Sequence, residues 1–253
     1  MDLIESPHHV DVDDTLDALA RRYRRANGYG IDLLNMVGGK AEGLLDRLPA
    51  AARSGLDQAT QRALEQAMKA ANESRGVVPD QKSWINTAIG SAMGAVGGIG
   101  GLPTALAELP VTTTLLLRVN QGISSEYGFD PEAESVQFDS IKVFSAAGPL
   151  EADDGADLGF ITARVTLTGA TVQGLIARVA PRLATVLGQK LAAQTIPVLG
   201  AVAGAATNFA YTSYYQEIAH VHFGLRRLAI DADVPVEQLV DRLRARMTSR
   251  SLA

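Results

Sequence analysis

The 253-residue chain contains no cysteine. Disulfides, thiol nucleophiles and thiolate metal sites are thereby excluded, and the absence fits a reducing compartment. Aromatic residues are scarce, 5% against 47% hydrophobic residues overall, so the apolar mass is mostly Ala, Leu, Val and Ile. That mixture favours close-packed helices over aromatic-rich sandwiches. Positive charge is not in excess either. The net charge is -5, which gives the whole chain no bulk affinity for nucleic acid. The N-terminal stretch MDLIESPHHVDVDD is acidic and lacks the apolar segment of a secretory signal, so the expected compartment is the cytoplasm. Strand signals are nearly missing. Only SIKVFS (140–145) and ITARVTLTG (161–169) alternate β-branched residues, and either also fits a helix.

Charge is absent locally as well. No charged residue occurs from Ser83 to Ala107 or from Leu191 to Gln216. Between Leu158 and Gln216 there is no acid, only Arg164, Arg178, Arg182 and Lys190. Both uncharged stretches are long enough to cross a bilayer. Their content argues against a simple span, because Gly and Ala contribute little transfer energy and the mean hydropathy of the chain is only +0.07. Gly90, Gly94 and Gly98 lie four apart, as do Gly200 and Gly204. This small-xxx-small spacing lets helix backbones approach closely. The expected fold is all-α: a single multi-helix domain with two tightly packed Gly/Ala-rich core helices. Reversible membrane insertion of the same segments is the alternative.

Around that core, residues 1–11 read as a flexible leader and 12–74 as amphipathic N-terminal helices. A helix over Val12–Ala26 is followed by a periodic stretch over 29–48, with Gly38-Gly39 as a possible break. Pro49 suits the first turn of a third helix reaching about Ser74. RGVVPD (75–80) has linker composition, and AAGPLEADDGADLG (146–159) reads as a long loop. Asp130 and Pro131 predict a capped helix start. Residues 234–253 form a C-terminal amphipathic helix with Leu239, Val240, Leu243 and Met247 inward.

The uncharged half holds one anomaly, Glu108, between Pro103 and Pro110. A carboxylate in an apolar helix needs a partner or a raised pKa. Arg118 shares its azimuth but stands about 15 Å along an ideal helix. A partner from Arg164, Arg178 or Arg182 is therefore expected. Glu108 reads as a polar anchor in a ligand pocket, as a protonation switch, or as a plainly paired carboxylate. Glu217 and His220 are three apart, which permits one shared metal. The remaining histidines are His8, His9 and His222, so no second Glu-x-x-His exists, and ordinary polar helix roles stand beside the metal reading. No phosphate loop, dinucleotide fingerprint or nucleophile elbow is present, and no cofactor is expected.

Two basic stretches bear on membranes. RRYRR (21–25) could meet anionic lipid or a protein, or be neutralised by its neighbours Asp13, Asp14 and Asp17. LIARVAPRLATVLGQKL (175–191) pairs an apolar face of Leu175, Val179, Leu183, Val186 and Leu187 with Arg178, Arg182 and Lys190. That pattern suits an interfacial helix, or an amphipathic helix on a soluble core, with Pro181 kinking or splitting it.

The two segments IGGLPTALAELPVTTTLLLRVNQGISSEYGFD (99–130) and IPVLGAVAGAATNFAYTSYYQEIAHVHFGLRRLA (196–229) resemble the EcsC family, named after a bacterial protein encoded beside an ABC transporter. The shared features are the Gly-rich entry, the repeated Leu-Pro at 102–103 and 109–110, the YGFD exit, and later IPVLGA and HFGLRRL. The resemblance spans roughly residues 80–233, although RRLAIDADV departs from the usual family close. It implies a bacterial protein associated with membrane processes and supplies no catalytic residues. The expected function is non-enzymatic: association with a membrane surface, at the inner face of the cell membrane, or binding of a lipid-like apolar ligand. Glu108, Arg118, Arg164, Arg178, Arg182, Lys190 and Asn208 are the candidate contacts. The alternatives are a metal-dependent or hydrolytic enzyme using Glu217 and His220, and a soluble adaptor of a membrane transporter complex.

Overall fold

A computed structural model describes residues 11–37, 43–75, 83–99, 101–146, 148–149, 171–194 and 200–248. Among them are the helices α1 (Val12–Val37), α2 (Ala50–Arg75), α3 (Ser83–Ile99), α4 (Gly101–Glu126), α5 (Glu134–Lys142), α6 (Val172–Gln194), α7 (Gly200–Ala232) and α8 (Val236–Thr248). Single 3-10 turns occupy Leu45–Arg47 and Val143–Ser145, and no strand occurs among the described residues. The all-α expectation holds, and SIKVFS is the end of α5 plus the turn after it. The leader 1–10, the Gly38-Gly39 break, the linker at 76–80, the loop at 150–159, ITARVTLTG and Arg164 lie outside the described residues.

Local chemistry accounts for most boundaries. Asp11 Oδ1 accepts the amides of Asp13 and Asp14 at 2.9 and 3.0 Å, which caps α1. The helix then runs unbroken through Ala26 to Val37, so the first part of the expected 29–48 stretch continues α1, while Leu45–Arg47 at its end is a 3-10 turn. The Pro49 carbonyl accepts from Ala52 and Arg53 and opens α2, as its position predicted. Asp130 behaves differently. Its carboxylate takes the amide of Glu132 and its carbonyl that of Ala133, closing a turn, and α5 starts only at Glu134. Pro181 neither ends nor splits α6, which passes through it.

The helices alternate in direction. α1 runs antiparallel to α7, pairing Arg22 with Glu217 and Tyr29 with Phe209. α3 is antiparallel to α7 too: Thr87 donates to Gln216, and Gly90 meets Asn208 and Thr212. α4 runs parallel to α7, from Glu108 beside Asn208 to Tyr127 beside His220. α6 is antiparallel again, with Lys190 at Glu108 and Val186 at Tyr211. α2 runs parallel to α4, with Asn72 at Gln121 and Leu56 beside Gly188 of α6. One pole therefore gathers the ends of α1, α3 and α6 with the starts of α2, α4 and α7. α3, which is chargeless, and α7, which is free of charge as far as Gln216, form the most extensive helix pair in the fold. A Cβ on Gly90 would come within 2.6 Å of Thr212 Oγ1, so the small residue is what sets their spacing. The buried apolar residues described in α1, α2, α4, α5, α6, α7 and α8 make one continuous cluster around α7.

Candidate functional site

Four helices converge on one carboxylate oxygen. Glu108 Oε1 accepts from Thr112 Oγ1 at 2.7 Å, from Lys190 Nζ at 3.1 Å and from Asn208 Nδ2 at 2.6 Å. Asn208 Nδ2 also donates to the Gly90 carbonyl at 2.8 Å, which brings α3 into the cluster. Lys190 is fully buried and Glu108 is 9% exposed. The local sequence explains the arrangement. Pro110 leaves α4 short of one amide donor, while Thr112 sits one turn past Glu108 and reaches back to it. Burial pushes the Glu108 carboxyl up, but Lys190, Asn208 and Thr112 outweigh it and hold Glu108 below its usual range. Burial draws the Lys190 ammonium down, and Glu108 opposes that shift. Glu108 Oε2 and Asn208 Oδ1 are buried without a hydrogen-bond partner.

The expected basic partner for Glu108 thus comes from the acid-free half, but it is the lysine and not an arginine. Arg178 and Arg182 lie exposed on the outer side of α6, and half-buried Arg118 is not among the partners of Glu108. Lys190 does not share the basic face with Arg178 and Arg182. Leu175, Val179, Leu183, Val186 and Leu187 are all buried in the core. The interfacial reading of this helix is thereby corrected, because its apolar face is already covered by protein.

A second polar cluster surrounds Glu217. Arg22 Nη1 lies 2.9 Å from its carboxylate and Arg25 Nε 3.5 Å, so two cations occupy the oxygens considered for a metal. His220 Nδ1 is 3.3 Å from the Tyr127 hydroxyl. Among the described residues no group of three His, Asp or Glu side chains could hold a metal ion. Burial, then the Arg22 and Arg25 charges, push the His220 ring down to about 3. Burial also pushes the Tyr127 hydroxyl up. His222, on another side of α7, lies 3.1 Å from Asp139, which Arg226 also engages at 2.6 Å. Burial raises Asp139, but His222 and Arg226 more than compensate and leave it below its usual range.

The neutral His220 has a measurable consequence. Its folded pKa lies below its ordinary value of 6.5, so as pH falls the unfolded chain takes up the proton first. Stability should decline between about pH 6.5 and 3, by at most ~1.4 kcal/mol per pH unit from this residue. His220→Gln should flatten that limb in urea titrations at pH 7 and pH 5, and an unchanged slope would assign the decline elsewhere.

Two of the three acids expected to neutralise RRYRR are engaged otherwise. Asp13 pairs with Arg242 and Arg246, and Asp17 with Arg246 at 3.0 Å, clasping α1 to α8. Sequence reasoning missed this clasp and the Arg22–Glu217–Arg25 bridge, because partners 190 or more residues apart leave no local signature. The i, i+3 spacing of Arg22 and Arg25 was the one clue, since it places both on the side that meets α7.

Five of the six helix ends at this pole carry no charge; the start of α2 is the exception, with Asp46, Arg47 and the Arg53–Asp46 pair. α1 has no charge after Asp32, α3 and α6 end without any, α4 has none before Glu108, and α7 none before Glu217. The first charges met on α4 and α6, Glu108 and Lys190, neutralise each other out of solvent. Glu108 lies seven residues into α4, about 10 Å from its start. Val202 is 64% and Phe209 45% exposed on α7, and Ile31 is 52% exposed on α1. Among the described residues no helix is long and apolar enough to cross a membrane.

No curated protein and no solved structure matches the chain significantly. The model of the EcsC protein family matches residues 45–228. That span begins earlier than the motifs near residue 80 would place it, and it takes in α2 as well as the Glu108 cluster and most of α7. With most of its length matched, and with both motif-bearing segments inside the match, the chain belongs to the EcsC protein family.

Proposed function

We propose that this protein is a peripheral membrane protein that seats the uncharged sector of this pole, on the side of α7 and away from the start of α2, in the interfacial layer of a bilayer. The observation that carries this reading is the Glu108–Lys190 pair. A buried, mutually neutralised pair beneath this uncharged sector leaves about 10 Å of α4, and the facing ends of α1, α3, α6 and α7, without a charge to desolvate. Amphipathic elements that lie at an interface bury their apolar side about 5–10 Å deep, which this layer matches. The exposed Val202, Phe209 and Ile31 supply apolar area, each worth about 1.5–3 kcal/mol when fully buried. In this reading EcsC membership contributes the implied link to membrane processes, and the role of membrane contact moves from α6 to the pole.

Sedimentation with phosphatidylcholine vesicles tests it. The protein should pellet with neutral vesicles, and added salt should not release it, because the contact is apolar. Val202→Asp together with Phe209→Asp should weaken the partition by on the order of 100-fold. Both positions are exposed, so the fold should survive, which circular dichroism would verify. A wild-type protein that stays in the supernatant with every vesicle composition would overturn the reading.

A further inference from the structure

We propose that α1 carries a binding site for a phosphate monoester, in the groove lined by Arg21, Arg22, Arg24, Arg25, Gly28 and Tyr29. The groove is open to solvent along α1 and measures about 880 Å³, within the range that holds a small ligand. It follows from one helical stripe. Ala18, Arg21, Arg25, Gly28 and Asp32 recur at spacings of three and four and so share a face of α1. Ala18 and Gly28 keep the floor of the groove low, and nothing lies within 4 Å of where a Cβ on Gly28 would stand.

The charges are arranged for a dianion. Glu217 of α7 holds Arg22 and Arg25 from behind, at 2.9 and 3.5 Å, and fixes their direction. Arg21 and Arg24 form no ion pair among the described residues, because Asp13 and Asp17 are drawn away to Arg242 and Arg246. Four guanidiniums thus stand against two carboxylates, Asp32 and Glu217, which leaves two positive charges. A phosphate monoester near neutral pH carries close to two negative charges and offers three oxygens to planar guanidinium forks. A phosphodiester carries one charge and matches the groove less well. Nearby His220 is held neutral and adds no charge. The monoester can belong to a lipid headgroup or to a soluble metabolite, and the groove does not depend on the pole's contact with a bilayer.

The test compares vesicles of phosphatidylcholine containing phosphatidic acid, a monoester, with vesicles containing phosphatidylglycerol, a diester. Soluble glycerol 3-phosphate is titrated by calorimetry. The wild-type protein should prefer phosphatidic acid, and this increment should fall with salt. Competition by glycerol 3-phosphate would identify a site open to soluble monoesters. Preference without competition would identify the lipid headgroup. Arg21→Glu with Arg24→Glu should lower monoester binding on the order of 100-fold. Gly28→Met should lower it about tenfold by filling the floor, with every charge retained and thermal stability undiminished. Val202→Asp alone, a pole change away from Tyr29, should leave glycerol 3-phosphate binding and phosphatidic acid selectivity intact, which separates failure of the groove from failure of the pole. Equal binding of monoester and diester, or full binding by the Arg21→Glu, Arg24→Glu protein, would overturn the proposal.

Discussion

Lys190→Met should be about 3–5 kcal/mol less stable than wild type in urea denaturation at pH 7. The methionine nearly fills the volume of the lysine, so the loss comes from stranding Glu108 as a buried charge and not from a cavity. Against a total stability of about 5–15 kcal/mol, a loss of this size brings the protein close to unfolding. The pH dependence separates this cause from simple misfolding. In wild type the Glu108 pKa is depressed, so its contribution is present above its ordinary value of 4.5 and is lost as pH falls through the folded value. In the variant burial acts without Lys190, and the pKa rises above 4.5. Stability of the variant should therefore be greatest in mild acid and fall as pH rises through that raised value. The gap to wild type should narrow as pH falls through that raised value. Combining Glu108→Gln with Lys190→Met should recover most of the loss, since a neutral amide can keep the Asn208 and Thr112 contacts. A cost under about 1 kcal/mol for Lys190→Met, flat with pH, would mean that the pair is not a buried ion pair in solution.

The second large effect is a contrast between two glycines two residues apart, on different faces of the same helix. Gly30→Ala should destabilise by about 1–3 kcal/mol. An added Cβ would stand 1.7 Å from the Pro149 carbonyl oxygen, a backbone atom and not a flexible side-chain end. The Pro149 segment has little freedom to retreat. Gly148 holds a positive φ of 86°, its amide donates to Tyr214 at 3.2 Å, and Val186 closes its other side. Gly28→Ala should instead stabilise by up to about 1 kcal/mol, because the site is open and alanine is the better helix former. Thermal melts of the two single variants check both signs. If both rise, the Pro149 segment does not lie against α1.

The same two predictions mark how far the sequence reached. The absence of charge over Ser83–Ala107 and Leu191–Gln216 identified the core helices, and the four-residue glycine spacing foretold that they pack on each other. The presence of a basic partner for Glu108 followed from the cost of burying a lone carboxylate. Which cation it would be did not follow. Helical periodicity assigns Lys190 to an azimuth on α6, but it does not say which neighbour stands there, 82 residues away. The periodic pattern likewise grouped Lys190 with Arg178 and Arg182, although only the lysine turns toward α4.

Local reasoning also erred where a distant partner outcompeted a near one. Asp13 and Asp17 sit within a few turns of RRYRR, yet α8 presents Arg242 and Arg246 to them more directly. Asp130 found the Glu132 amide in a turn before it could cap a helix.

The sequence by itself determined an all-α chain, its EcsC character, the chargeless segments and the need to neutralise Glu108. All of these rest on composition, spacing and the solvation cost of a charge, which are properties of short stretches. Only the tertiary structure decided that Lys190 is the partner, that α6 spends its apolar face on the core, and that Arg21 and Arg24 are left with no acid among the described residues. Those outcomes depend on which helix faces come together, and that is set by packing the whole bundle, α7 at its centre, rather than by any one segment.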